Sequence, residues 1–428
     1  MTMWTKDQLQ LCMNPLLKGR PRWLIKRQQH ALDQFLKNGF PVKKQPAWQY
    51  TSTHFIQDNR FTLSNTSTVF KAYKEIIDQS KSDFYTIIFI NGHYIEQLSC
   101  IAELQSKNVS LVSLNEVSLD SNNYIKNAFF NIDTLKILDA PFINLAQALL
   151  TDCFFLNIPK GIQLDKPIRI LHLTDKNFSL QMRHNFCFFQ LENNAKAIIF
   201  EEVKHLSSEF CFSNCVVQIT LKEKANLSYY YLQPLSNQLA DIHQLILLQA
   251  KNSCYQHYDL AQGAEFARNE RRIYLQGKKA QATLKGIFSV TEDRSIDSYI
   301  HIDHQQSETI SHQFYKGLAS DRSHAIFNSH VLIPKAIKKT QASQLSKNLL
   351  LSSHAEINLK PTLEIYTDDV QCSHGATIGA IDEKALFYLC SRGINRKQAE
   401  QLLKEGFLTE IIETIPHANC RKHMNNVL

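Results

Sequence analysis

Glycine and proline are scarce in this chain, at 12 and 11 residues of 428. The Asn-Gly and Asp-Gly hairpins typical of antiparallel meanders are therefore nearly absent, and turns without hairpin signatures fit a coil that keeps winding in one direction. No apolar run approaches the ~18 residues that a membrane span needs. Charges interrupt Met1 to Arg20 too early for a signal peptide, so the protein is expected in the cytosol. Phosphate-cradling loops are missing as well. Gly277-Lys278 lacks the upstream glycine and the following Ser or Thr of a P-loop, and neither G-x-G-x-x-G nor H-E-x-x-H occurs. The chain is not expected to hydrolyse nucleotide by itself.

Charge of one sign is also in short supply: 47 Lys plus Arg against 40 Asp plus Glu leaves +7. Short basic runs such as Lys335-Ala336-Ile337-Lys338-Lys339 occur, but no long basic stripe interleaved with aromatics, so solvated faces explain them better than nucleic acid. What is present is ample apolar material, 44% hydrophobic residues against 20% charged, enough for a sizeable core. The ten cysteines run from Cys12 to Cys420 without a disulfide framework. They read as reduced thiols, with the C-x3-C pair Cys211 and Cys215 as buried structural ones.

Residues 1–150 read as mixed helix with some strand. Trp23, Leu24, Gln28, Ala31, Leu32, Phe35 and Leu36 recur at helical spacing, and Gly39-Phe40-Pro41 ends that helix. Thr86-Ile87-Ile88-Phe89-Ile90 is a buried strand ended by Asn91-Gly92, and a further helix covers Ile143 to Leu150. From about 155 to 380 alternation takes over, as in Ile168-Arg169-Ile170-Leu171-His172-Leu173 and Tyr299-Ile300-His301-Ile302-Asp303-His304. Strand candidates keep arriving with no helical pattern between them, which means a large all-β body: sandwich, barrel or β-helix. Helical periodicity returns at 381–428. Asp382 and Glu383 favour a helix start, and Asn395 with Gln398 forms a capping-box-like pair. Gly406 is expected to close that helix and Phe407 to Ile415 to make another short one.

The densest polar cluster lies between Glu364 and Gly375. On a strand, Tyr366, Asp368, Val370, Cys372 and His374 share one face, while Asp369, Gln371 and Ser373 share the other. Asp368 and Asp369 thus point oppositely and make a poor pair for glycoside chemistry. Cys372 and His374 point the same way, about 7 Å apart. Thiolate and imidazole are ligand types of iron–sulfur centres, yet two ligands are half a site. The alternative is a buried Cys beside a hydrogen-bonded His. His301, His304 and His312 read as structural, because H-x-x-H suits a helix better than a strand.

The stretch Phe327 to Ile394 carries Lys-Asn-Leu-Leu-Leu-Ser (347–352), Lys-Pro-Thr-Leu-Glu-Ile-Tyr-Thr-Asp-Asp-Val-Gln-Cys-Ser-His-Gly-Ala-Thr (360–377) and Leu-Phe-Tyr-Leu-Cys-Ser-Arg-Gly-Ile (386–394). It closely resembles the SufB/SufD family of iron–sulfur cluster assembly scaffold proteins. Gly39-Phe-Pro, Trp48-Gln-Tyr-Thr, Ile158-Pro-Lys-Gly and Ser311-His-Gln-Phe-Tyr-Lys316 extend the resemblance over nearly the whole chain. The Asp-Asp-Val-x-Cys-Ser-His-Gly-Ala-Thr segment is similar to the SufD branch. Cys390, Cys153 and Ala47 depart from the family pattern, all away from that segment.

The resemblance implies a mainly β chain, with a right-handed parallel β-helix core at 151–380 between helical regions at 1–150 and 381–428. It implies a non-catalytic scaffold that pairs with SufB and with the ATPase SufC, which alone would bind ATP. Ala399, Leu402, Leu403, Phe407, Leu408, Ile411 and Ile412 would then contact SufC. His374, and less strongly Cys372, would be candidate ligands for a transient cluster at the interface with SufB. Flavin binding, complex stoichiometry and a homodimer in the absence of SufB stay open. Two other readings remain: a passive partner with the cluster held only by SufB, and a stand-alone β-helix enzyme acting on carbohydrate.

Overall fold

The structure, a computed structural model, describes residues 4–427 apart from 65–72, 74–75, 77–82, 118–122, 136, 138–139, 176–178 and 234. Its centre is a parallel β-solenoid of two facing sheets. The first sheet holds, in spatial order, β4 (Ser110–Ser113), β5 (Asp152–Ile158), β7 (Gln181–Leu191), β9 (Cys211–Leu221), β11 (Ser236–Gln249), β13 (Ala264–Leu275), β15 (Ser295–His304), β17 (His324–Ile333) and β19 (Glu356–Ile365), with β1 (Thr62–Leu63) beside β7. The second holds β3 (His93–Tyr94), β2 (Tyr85–Ile90), β6 (Ile168–Thr174), β8 (Lys196–His205), β10 (Asn226–Gln233), β12 (Cys254–Ala261), β14 (Gln281–Val290), β16 (Ile310–Ala319), β18 (Thr340–Leu350) and β20 (Val370–Ala380). Successive strands from β5 to β20 alternate between the sheets and pair in parallel, so two strands complete one turn of the coil.

The scarcity of glycine has a structural counterpart at the corners. Asn194, Lys224, Asn252, Lys279, Glu308 and Lys339 all take left-handed backbone conformations, with φ between 54° and 64°. A non-glycine residue there costs roughly 1–2 kcal/mol. The N–H groups of Asn194, Lys224, Asn252, Glu308 and Lys339 bond carbonyls of the next coil, which offsets the strain. Repeated corners of this kind do the work that glycine does in hairpins.

Side chains alternate in and out along each strand. The inward set, among them Ile199, Tyr229, Leu245, Ile273 and Leu284, forms one continuous core. The helices Arg22–Asn38 and Pro141–Ala148 cover the outer face of the first sheet, where Phe35, Phe142 and Leu145 meet Met182, Phe212 and Ile242. The expected boundary at residue 150 does not separate the sheets, because β2 and β4, from the N-terminal region, pair with β6 and β5. The Trp48-Gln-Tyr-Thr segment is pinned to the coil. The Arg268 guanidinium lies 3.6 Å from the centre of the Trp48 ring and pairs with Glu270 and Asp297, and Thr51 bonds Asp297.

The C-terminal helices dock on the outer face of the second sheet. Asp382 accepts from the N–H groups of Lys384 and Ala385 to start Glu383–Ser391, and Asn395 accepts from that of Gln398 to start Arg396–Ile412. One expectation is corrected here. Gly406 does not end a helix; it lies inside Arg396–Ile412, which runs unbroken to Ile412. Glycine in a helix interior costs only about 1 kcal/mol relative to alanine. Leu408, Ile411 and Ile412 recover more than that by burial against Tyr230, Tyr258 and Leu318. Among the described residues no helix is long and apolar enough to cross a membrane.

Candidate functional site

The coil ends at β19 and β20, and among the described residues no strand pairs with the far edge of either. Val370, Cys372 and His374 stack in register over Thr340, Ala342 and Gln344, and these three are buried. The inward face of β20 is thus the rim of an open-ended core. Cys372 packs partly against the core, and burial pushes its thiol above the usual range. His374 is exposed. The two residues are two apart on β20 and so share one of its faces, with Cβ atoms about 7 Å apart by strand rise. Tyr366 and Asp368 fall in the turn before β20 and not on that face. The rim also carries exposed Ile378 and, in the turn, exposed Tyr366.

Within the C-terminal helices, Ala399, Leu408, Ile411 and Ile412 are buried inside this chain. Phe407 and Leu403 are half-buried, and Leu402 is exposed. Lys316 of β16 sits 4.3 Å from the Phe407 ring centre and pairs with Glu410 at 2.6 Å, which fixes the helix to the coil. The apolar side chains of these helices still open to another molecule are Phe387, Tyr388 and Leu402. The three histidines at H-x-x-H or wider spacing do not meet. His304 points inward between Thr309 and Ser311, His301 contacts His330 at 2.9 Å, and His312 contacts Ser343 at 2.7 Å.

A second polar feature was not foreseen from the sequence. Inside the coil, His172 Nε2 lies 2.8 Å from Glu201 Oε1, and His243 Nε2 lies 3.0 Å from Glu201 Oε2. The Tyr229 hydroxyl also donates to Glu201. Arg271 donates to His243 Nδ1 at 2.9 Å and to Asp259 Oδ1 at 2.8 Å, and Tyr315 donates to Asp259 Oδ2 at 2.8 Å. Arg271 offers only donors, so His243 accepts at Nδ1, carries its proton on Nε2 and gives it to Glu201. Burial works to raise the Glu201 carboxyl, but His243 and His172 outweigh it and hold the group well below the carboxylate range. Gly286 makes room for the last link: a Cβ there would lie 2.2 Å from the Tyr315 ring. The signal was available as polar residues at inward positions of successive strands, Glu201, Tyr231 and Asp259 sharing one register column.

The architecture is a parallel β-solenoid with an open rim bearing a thiol and an imidazole. Comparison with known proteins narrows the class. Residues 172–407 match the family model described as SUF system FeS cluster assembly, SufBD core domain, and residues 12–170 match SufBD protein N-terminal region. The iron–sulfur cluster assembly protein SufD of Escherichia coli is 27% identical over 91% of this chain and 88% of its own length. A SufBD family iron–sulfur cluster assembly protein of Synechocystis is 28% identical over 93% and 89%. The SufD of Bacillus subtilis is 22% identical over 100% and 99%. This chain belongs to the SufBD family of iron–sulfur cluster assembly proteins, as the motif at 360–377 led us to expect.

Proposed function

We propose that the protein is a non-catalytic scaffold that supplies half of a transient cluster site and becomes competent only when a SufB-type chain covers its open rim. The observation that carries this reading is the exposure of His374 on a terminal strand whose far edge has no strand partner among the described residues, above the buried Thr340, Ala342 and Gln344. An edge strand with free N–H and C=O groups is a template for another chain's strand. A partner seated there would bury Ile378 and bring its own ligands opposite His374, with Cys372 as the weaker second donor. The nascent cluster is cargo. Incomplete ligation from each side suits a cluster that must leave, whereas four thiolates from one chain would retain it.

The C-terminal helices are the proposed contact for the ATPase SufC, through Phe387, Tyr388 and Leu402. Nucleotide would enter the system only through that partner, and the complex would work in the cytoplasm. The helix Arg396–Ile412 is tied by Lys316 to β16, two strands from the rim on the same sheet, so a pull on the helices is transmitted toward β20.

The test is His374→Ala in a complex co-expressed with SufB and SufC. The scaffold reading expects normal complex yield with loss of acid-labile sulfide. Normal sulfide at normal yield would instead assign this chain a passive structural role.

A further inference from the structure

Two groups of potential metal ligands lie wholly inside the coil and share one residue. His172, Cys187 and Cys215 form the first, and Glu201, Cys215 and His243 the second, with the ligand atoms of each group within 4.8 Å of one another. All are buried, and none belongs to the rim site. We propose that His172, Cys187 and Cys215 bind one thiophilic divalent ion, zinc or ferrous iron, in the interior of the solenoid, with the Oε1 oxygen of Glu201, 4.0 Å from Cys215 Sγ, moving in as the fourth donor.

Three physical arguments support it. The first is ligand chemistry. Mixed thiolate, imidazole and carboxylate donors are the set that zinc and ferrous iron take, and four of them close a tetrahedron. The second is spacing. Metal–ligand bonds of about 2.0–2.3 Å in a tetrahedron put donor atoms roughly 3.3–3.8 Å apart. Cys215 Sγ is 4.0 Å from Glu201 Oε1, and His172 Nε2 is 2.8 Å from the same oxygen because a proton now bridges them. An ion in place of that proton widens one distance and tightens the other, each by less than 1 Å. The sulfur atoms of Cys187 and Cys215 already lie within 4.8 Å of each other.

The third is charge. An unpaired charge in a low-dielectric interior is costly. Exchanging the two thiol protons for one divalent ion, while the His172 proton moves from Nε2 to Nδ1 so that Nε2 can ligate, leaves the net charge of the interior unchanged. The other Glu201 oxygen stays anchored by His243, itself held by Arg271. Such outer partners orient ligands in metal sites.

The site is enclosed, so the ion is expected to load during folding and to exchange slowly. The full chain is expressed alone, without a histidine tag, and analysed for metal after extensive washing with EDTA. We expect about one zinc or iron per chain, released on unfolding. The Cys187→Ser/Cys215→Ser double variant should hold less than a fifth of that, while Cys372→Ser and Cys12→Ser keep it. As a readout that needs no variant, wild-type chain produced in cobalt medium should show thiolate-to-cobalt charge-transfer absorption. Less than a tenth of an equivalent of any divalent metal, cobalt bound without that absorption, or a folded double variant that retains the ion would each overturn the assignment. Because no partner chain is involved, this result stands apart from the fate of the rim proposal.

Discussion

Gln344 and His374 occupy the same column on adjacent strands, yet Gln344 is buried and bonds Ser329 at 2.8 Å while His374 is exposed. The difference is position alone: β18 is covered by β20, and β20 is covered by nothing within the described chain. Ile378, 45% exposed on the same strand, marks the apolar part of that rim. Ile378→Lys is expected to abolish co-elution with a SufB-type partner in size-exclusion chromatography. The melting temperature of the isolated chain should stay within about 2 °C, because an exposed substitution changes stability by less than about 0.5 kcal/mol.

Arg271 and Asp259 form an ion pair at 2.8 Å with both side chains buried. Removing one partner of such a pair leaves an uncompensated charge, which costs about 3–5 kcal/mol. Asp259→Asn should therefore lower the urea-unfolding free energy by that order. A shift below 1 kcal/mol would show that the interior chain of hydrogen bonds is not structural.

Acid should unfold the protein early. Burial holds His184, His301 and His304 at about 3, and burial with Arg183 nearby holds His205 at about 4, against ~6.5 in an unfolded chain. Between pH 6.5 and 4 the unfolded chain binds protons that the folded chain refuses, so stability falls as pH falls. Asp152, raised to about 7 by burial, acts in the opposite direction across that window, as do Asp297, Asp303 and Glu265, which burial also raises, but His93, His172, His257, His417 and His423, lowered by burial, side with the four histidines. Glu201, Glu202 and Glu270, all held below their usual range, extend the loss below pH 4.5. Thermal midpoints measured from pH 8 to pH 4 should drop steeply below 6.5. A flat profile would contradict the buried neutral histidines.

The C-terminal helix separates two roles that its sequence mixes. Ile411, 2% exposed, should cost about 2–5 kcal/mol on truncation to alanine, by the measure of buried aliphatic side chains. Leu402→Glu, on the exposed face, should leave stability unchanged and weaken pull-down of a SufC-type ATPase. Equal stability losses in the two variants would mean that the exposed face is not free.

Much of the coil was legible because alternation and the lack of helical periodicity report strand directly, and scarce glycine argued against hairpins. The choice between β-helix and sandwich was not, since parallel pairing depends on which distant strands meet. Gly406 misled because glycine's helix-ending tendency is a local preference of about 1 kcal/mol, and tertiary burial of Leu408 and Ile411 overrides it. That Cys372 and His374 share a face was legible from strand parity. Glu201, His172 and His243 were not, because their meeting depends on the stacking of β6, β8 and β11 across two sheets.

The most direct measurement is sulfide in a co-purified complex of this chain with SufB and SufC. Wild-type complex should carry acid-labile sulfide and iron, and the His374→Ala complex, recovered in the same amount, should carry little of either. Equal sulfide in the two, at equal yield, would contradict a half-site on this chain.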